Sequence, residues 1–179
     1  MRLRLLKHSV LHVDETTVQV LKEPGRAARS KSYMWLYRTS GEAKNQIILY
    51  DYQPDRRYIR PREFLRGFSG YIHTDGYEAY HKLPGNITVV GCLAHLRRKF
   101  FDGLKILPKE KKKDSYLLKG VEYCDQLFRF EREFALLSPR ERLEKRQRLS
   151  KPLFDEFYNW MEGLGALPSS MLGKAVYYA

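Results

Sequence analysis

The chain has 179 residues, of which 43% are hydrophobic and 13% aromatic, so it can fold as one ordinary domain with a core. Lys and Arg outnumber Asp and Glu by 33 to 21, and the formal net charge of +12 favours a polyanionic partner such as nucleic acid. We expect neither a spanning helix nor a signal peptide, because no apolar run is long enough and no cleavage site follows the basic start. With Cys92 and Cys124 as the two cysteines, we expect no disulfide framework and a reducing cytoplasm.

The first half of the chain predicts five strands. The run Val10–Asp14 is almost continuously apolar, which is typical of a central strand covered on both faces. Two aromatic strands follow it and complete an antiparallel meander. Two more strands, separated by short helical segments, then lead into the basic amphipathic helix "LAHLRRKFFDGLKIL". The last four predicted strands are residues 33–39, 46–52, 71–75 and 87–92. This order predicts an α/β protein with a mixed five-stranded sheet and flanking helices.

The second half of the chain shows no strand signal. The charge run Lys109–Lys113 is interpreted as a solvated linker. Apolar residues then recur at steps of three and four, which indicates an amphipathic helix; they are Leu117, Val121, Cys124 and Phe128. "SPRE", beginning at Ser138, has the serine, proline and glutamate of a capping box, and Pro152 predicts a kink or break further on. We therefore expect an α-helical hairpin after the sheet.

Two aspartates close apolar strands in the first half. Asp14 follows the first strand and Asp75 follows "YIHT". Two carboxylates at neighbouring strand ends repel each other unless a cation lies between them, and Mg²⁺ prefers such ligands. The alternative is that each aspartate caps a turn or the following helix, and the spacing alone favours this interpretation over a metal site. A further alternative is a transition-metal site, since His12 and His73 precede the aspartates on the same strand faces.

Three ordered blocks give a more specific indication. "LHVDETTVQVL", "GFSGYIHTDGYEAYHKL" and "GCLAHLRRKFFDGL", which together span Leu11 to Leu104, closely resemble the catalytic domain of transposases of the insertion-sequence 66 family (TnpC type). The first block matches that family's "DET" strand and the second its "DGY" strand. The third matches its "C-x-A-H-x-R-R-K-F" segment.

The resemblance implies an RNase H-like fold and Asp-Asp-Glu chemistry on DNA with two Mg²⁺ (or Mn²⁺) ions. Asp14 would be the first acid and Asp75 the second, and both would be metal ligands. Glu15, Cys92 and His95 would lie close to the site. His95 is equally well explained as a buried structural histidine, and Cys92-x-x-His95 lacks the second pair that a structural zinc requires.

The resemblance also has a gap. The family's third acid lies in an "NN-x-A-E-R"-like helix, and the chain ends at "MLGKAVYYA" before any such motif. We therefore expect an incomplete RNase H-like core over residues 1–108 and a truncated helical insertion over 109–179. The parent protein would cleave and join DNA, whereas this chain alone would cut poorly. The alternatives are a non-catalytic DNA-binding fragment and an RNase H-like nuclease.

DNA is the expected partner, both as transposon ends and as target. Arg97, Arg98 and Lys99 form a basic cluster that would contact phosphates without reading base sequence. An uncovered sheet face would favour self-association. The sequence leaves open the DNA site, the oligomeric state and the identity of a third acidic ligand.

Overall fold

The computed structural model describes residues 1–179. The chain divides into two units, Met1–Cys92 and Leu93–Ala179, and each has a hydrophobic core of its own. None of the helices combines the length and apolar content needed to cross a membrane.

The first unit is built on a mixed sheet. Its strands are β1 Val10–Gln19, β2 Lys31–Thr39, β3 Ile48–Gln53, β4 Gly70–His73 and β5 Ile87–Val90. They lie in the order β3-β2-β1-β4-β5, with antiparallel pairing from β1 to β3 and parallel pairing of β4 with β1 and of β5 with β4. Three short helices accompany them: α1 Arg2–Leu5, α2 Ile59–Phe64 and α3 Glu78–His81. The predicted α/β class is confirmed, and the strand order is consistent with an RNase H-like arrangement.

Strand β1 differs from the prediction in two respects. It continues past Asp14 to Gln19, and it is covered on one face instead of two, because Leu11 and Val13 are buried while Asp14 is exposed. The extension depends on pairing with β2. The segment 16–18, "TTV", is β-branched and pairs with β2 residue by residue, so the backbone ladder continues where the apolar signal ends.

The core of the first unit lies on one face of the sheet. Trp35 and Tyr37 on β2 are fully buried beside Leu11 and Val13 of β1. On the opposite face, Tyr50 is 70% exposed. Because side chains alternate along a strand, Glu15 points to the core face and Asp14 to the exposed face.

The second unit is helical. Its elements are α4 Leu93–Ile106, α5 Lys109–Lys112, α6 Tyr116–Glu133, α7 Pro139–Lys145, a π-helical segment Arg146–Ser150, α8 Lys151–Glu162 and α9 Met171–Tyr178. The predicted capping box at Ser138 is confirmed. Pro152 lies in the first turn of α8, a position that proline tolerates, and the irregularity expected there takes the form of the preceding π-helical segment. The predicted linker at Lys109–Lys113 was wrong in part, since these good helix formers make the short, largely exposed α5.

The core of this unit forms where α4, α6 and α8 meet. Phe100 and Phe157 are fully buried, with ring centroids 5.9 Å apart. Gly120 of α6 faces the Phe100 ring so closely that a methyl group on it would overlap the ring. Leu117, Val121 and Cys124 are buried as their spacing predicted, and Phe128 of the same pattern is half-buried.

Candidate active site

Asp14 lies in β1, and Asp75 lies two residues beyond the end of the neighbouring parallel strand β4. The register of β1 and β4 pairs Val10 with Tyr71 and His12 with His73, a constant separation of 61 positions. The same separation relates Asp14 to Asp75, two residues beyond the last pair. Asp14 lies within β1, while Asp75 lies just after β4 in a turn.

Asp14 is an exposed carboxylate on the open face of the sheet. Its Oδ1 accepts the main-chain N–H of Glu15 at 2.9 Å, and its neighbour on β2 is Leu36. His12 on the same face lies against His73, with ring centroids 4.8 Å apart. The pKa of His12 is lowered by burial and then by the nearby His73 and Arg38. This imidazole pair therefore lies beside a cationic side chain, which disfavours a transition metal there.

Asp75 is held by contacts to both carboxylate oxygens. Its Oδ1 accepts the main-chain N–H of Tyr77 at 3.0 Å, an Asx-type turn, and its Oδ2 lies 3.4 Å from Nη2 of Arg56. The buried hydroxyl of Thr74 donates to the carbonyl of Asp75 at 2.7 Å. The side chain of Asp75 remains 25% exposed, so it combines a fixed orientation with access to solvent.

Glu15 is placed close to Asp75 through a shared arginine. Its side chain is only 1% exposed, and its carboxylate accepts hydrogen bonds from the Tyr80 hydroxyl and from the Arg56 guanidinium. Burial raises the pKa of Glu15, and the contacts with Tyr80 and Arg56 oppose that rise. Burial, followed by the charge and hydrogen bond of Glu15, also raises the pKa of the Tyr80 phenol, so this group stays a donor.

Arg56 is the member of this group that the sequence analysis missed. Its guanidinium carbon lies 3.6 Å from the centroid of the Tyr77 ring, and the Tyr77 hydroxyl donates to the Arg56 carbonyl at 2.9 Å. The signal that points to it is Glu15. A carboxylate on the core face of a strand requires a cationic or hydrogen-bonding partner, although the sequence does not say which one.

The remaining residues expected near the site belong to other elements. Cys92 follows β5 and is half-buried. His95 lies in the first turns of α4, and its buried Nδ1 has no hydrogen-bond partner. The expectation that these two residues lie close to the catalytic acids stays a prediction.

The three basic residues of α4 differ in their contacts. Arg97 forms a two-pronged ion pair with Asp125, with N–O distances of 2.6 and 3.1 Å. Arg98 and Lys99 are exposed, and the Lys99 ammonium lies 5.7 Å from the Tyr178 ring centroid. Arg97 is therefore held within its own unit, whereas its two neighbours face solvent.

The donor chemistry at Asp14 and Asp75 suits a hard divalent cation. Carboxylate oxygens are the ligands that Mg²⁺ and Mn²⁺ prefer, with water completing the coordination. No group of three His, Cys, Asp or Glu side chains is arranged so that it could hold a metal ion. The protein would thus supply two carboxylates from two strands.

The chain matches a known protein family. The model of the family described as "Transposase IS66 family" matches residues 1–179. The chain belongs to the IS66 transposase family. The match extends over both units of the chain. It also agrees with the resemblance of the three sequence blocks.

Relatives of this IS66 family member include uncharacterized proteins of Sinorhizobium fredii. Protein y4hP is 32% identical over 84% of the chain, and y4qI is 30% identical over 93%. A third, y4jD, is 27% identical over 92%. The alignments cover 30%, 32% and 34% of these proteins, so the chain spans about a third of their length. No solved structure matches it.

Proposed function

We propose that this chain carries two acids of a metal-dependent DNA strand-transfer site, Asp14 and Asp75. The observation that carries the proposal is the pairing of β1 with β4 up to His12 and His73, because Asp14 and Asp75 each follow one of these paired histidines by two residues. Membership of the IS66 transposase family supports the assignment to DNA transposition. The activity would belong to the bacterial cytoplasm, on nucleoid DNA.

In this proposal the carboxylates of Asp14 and Asp75 hold Mg²⁺ or Mn²⁺. When bound there, such a cation would supply the positive charge that favours attack by a water or a DNA 3′-hydroxyl and departure of the leaving oxygen of a phosphodiester. The protein fixes the direction of the carboxylates. Asp14 is held by the N–H of Glu15 and by the pleat of β1, and Asp75 by the N–H of Tyr77.

Metal binding can be tested apart from catalysis. Titration with Mn²⁺, followed by the electron paramagnetic resonance signal of the free ion, should show binding to the full chain that is strongly weakened in Asp14→Asn and Asp75→Asn. Asp102→Asn is the matched control, because Asp102 is an accessible carboxylate of the helical unit, paired with Lys105 at 3.4 Å. Equal Mn²⁺ affinity in all four proteins would refute the proposed site.

We also propose that exposed cations of α4 bind DNA backbone phosphate. The excess of basic residues, at +12, and the solvent exposure of Arg98 and Lys99 support this role. It would operate whether or not the chain cuts DNA, so it also represents the alternative of a non-catalytic DNA-binding module. Phosphate contacts release counterions from DNA. The logarithm of the binding constant should therefore fall linearly with the logarithm of the salt concentration, with a slope of about −0.9 per contact.

Fluorescence anisotropy with a labelled duplex tests this second proposal. Arg98→Ala and Lys99→Ala should each lower the salt slope by about 0.9. Each should also weaken binding to duplexes of unrelated sequence by the same factor. Arg140→Ala is the control, since Arg140 is 89% exposed and already paired with Glu144. An unchanged slope in both α4 variants would place DNA binding elsewhere.

A further inference from the structure

Arg56 connects the buried Glu15 with the accessible Asp75. Its guanidinium contacts the Glu15 carboxylate through both Nε and Nη2, and the same Nη2 lies 3.4 Å from Oδ2 of Asp75. The two contacts differ in strength, because the pair with Glu15 is close and shielded from water, while that with Asp75 is longer and partly exposed.

The position of this guanidinium is fixed on several sides. The Glu15 carboxylate accepts a hydrogen bond from the hydroxyl of Tyr80, and Tyr80 is fully buried. The ring of Tyr77 lies against the guanidinium, and its hydroxyl holds the Arg56 main chain. Tyr77 also donates its N–H to the other oxygen of Asp75. Tyr77 therefore contacts both Arg56 and Asp75 and helps to fix both.

We infer that Arg56 is a positioning residue, which orients the Asp75 carboxylate for a divalent cation while remaining bound to Glu15. This inference rests on the proposed function, because it assigns a cation to Asp75. The asymmetry of the two contacts carries it. Because Arg56 stays bound to Glu15, it does not move with Asp75 when one oxygen of that carboxylate turns toward a metal ion. The Asp75 carboxylate therefore has a single orientation before the metal binds. Although Glu15 is adjacent to Asp14 in the sequence, it would affect the metal site only by holding Arg56.

The test uses Mn²⁺ affinity of the full chain, measured by electron paramagnetic resonance. Removing a partner that orients a metal ligand typically weakens metal binding by about 10- to 100-fold. We expect that loss in Arg56→Ala, with partial recovery on addition of millimolar guanidinium ion. Arg56→Lys keeps a positive charge beside the buried Glu15, so the fold is retained, but it lacks the planar fork and should still bind Mn²⁺ more weakly.

Arg57→Ala is the matched control. Arg57 is the next residue, its side chain is 70% exposed, and it pairs with Asp55 instead of the site. Its Mn²⁺ affinity should equal that of the unchanged chain. The circular dichroism spectrum of each variant verifies that it is folded.

The outcomes separate the two proposals. If Asp75→Asn abolishes Mn²⁺ binding while folded Arg56→Lys and Arg56→Ala bind normally, the positioning role is refuted and the metal site stands. Tighter binding in the Arg56 variants would also overturn it, because the arginine would then compete with the cation. If Asp75→Asn itself has no effect, the proposed function fails.

Discussion

The hydrogen bond between Tyr80 and Glu15 should contribute strongly to the stability of the first unit. Tyr80→Phe keeps the buried ring, which packs edge-on against Trp35 with centroids 6.1 Å apart, and removes only the hydroxyl. The side chain of Glu15 is 1% exposed, so water cannot replace the lost donor. Hydrogen bonds to charged groups contribute about 1.5–3 kcal/mol, and a loss of about 2 kcal/mol raises the unfolding equilibrium constant about 30-fold.

The assay is urea denaturation followed by tryptophan fluorescence. The chain has two tryptophans, Trp35 in the first unit and Trp160 in the second, so a Trp160→Phe background makes the signal report on the sheet unit alone. For an m-value of about 2 kcal/mol per M, Tyr80→Phe should lower the midpoint by about 1 M.

Tyr77→Phe provides the matched comparison for this experiment. It removes a hydroxyl that donates at 2.9 Å to the uncharged carbonyl of Arg56, and such a bond contributes about 0.5–1.5 kcal/mol. The loss should therefore be clearly smaller than in Tyr80→Phe. If the two variants lose the same stability, or if Tyr80→Phe loses less than about 0.5 kcal/mol, the buried carboxylate does not depend on the phenol and the reasoning is refuted.

Three further predictions concern other parts of the chain. Gly120→Ala should destabilise the helical unit by about 1–2 kcal/mol in Trp160-monitored denaturation, because the methyl overpacks the core; an unchanged midpoint would contradict the packing described. The pKa of Asp55 is lowered well below its ordinary value, first by the hydrogen bond from Arg60, so its stabilisation is present above about pH 4 and is lost as the pH falls. Asp55→Asn should cost up to about 1 kcal/mol at pH 6 and clearly less at pH 2; equal costs at both would contradict this. Burial raises the pKa of Cys124 to about 12, so an alkylating reagent at pH 8 should label Cys92 first and reach Cys124 only with unfolding, as peptide mass spectrometry would show.

Most of the sheet could be predicted because its strands carry strong local signals. The aromatic and β-branched residues of β2 identify a strand, and short connections predict the antiparallel meander. The end of β1 could not be predicted from the apolar pattern, because Thr16 and Thr17 are held by pairing to β2 and not by burial. Hydrogen bonding between strands joins segments that are distant in the sequence, so the apolar periodicity of one segment does not reveal it.

The candidate site was only partly predictable for a related reason. Asp14 lies in one recognisable strand and Asp75 follows another, and the order of the strands implies the pairing that brings these two strands together. Arg56 lies in an irregular loop, where neither period nor spacing specifies a partner. Its contact with Glu15 spans 41 positions and arises only when the loop folds over the core face. Buried charge on a strand indicates that a partner exists, and the fold determines which residue it is.

The π-helical segment Arg146–Ser150 joins α7 to α8 without a break in the helical residues. A π turn bonds over five residues instead of four, so it contains one more residue than an α turn. The extra residue is taken up within this turn. Removing one residue here should therefore restore a continuous α-helix and leave Phe157 of α8 in the core. Removing one residue from the middle of α8 would instead turn the residues beyond it by about 100° and move one of the buried side chains, Phe157 or Met161, out of the core. The segment therefore marks a place where the helical unit tolerates a change of one residue in length.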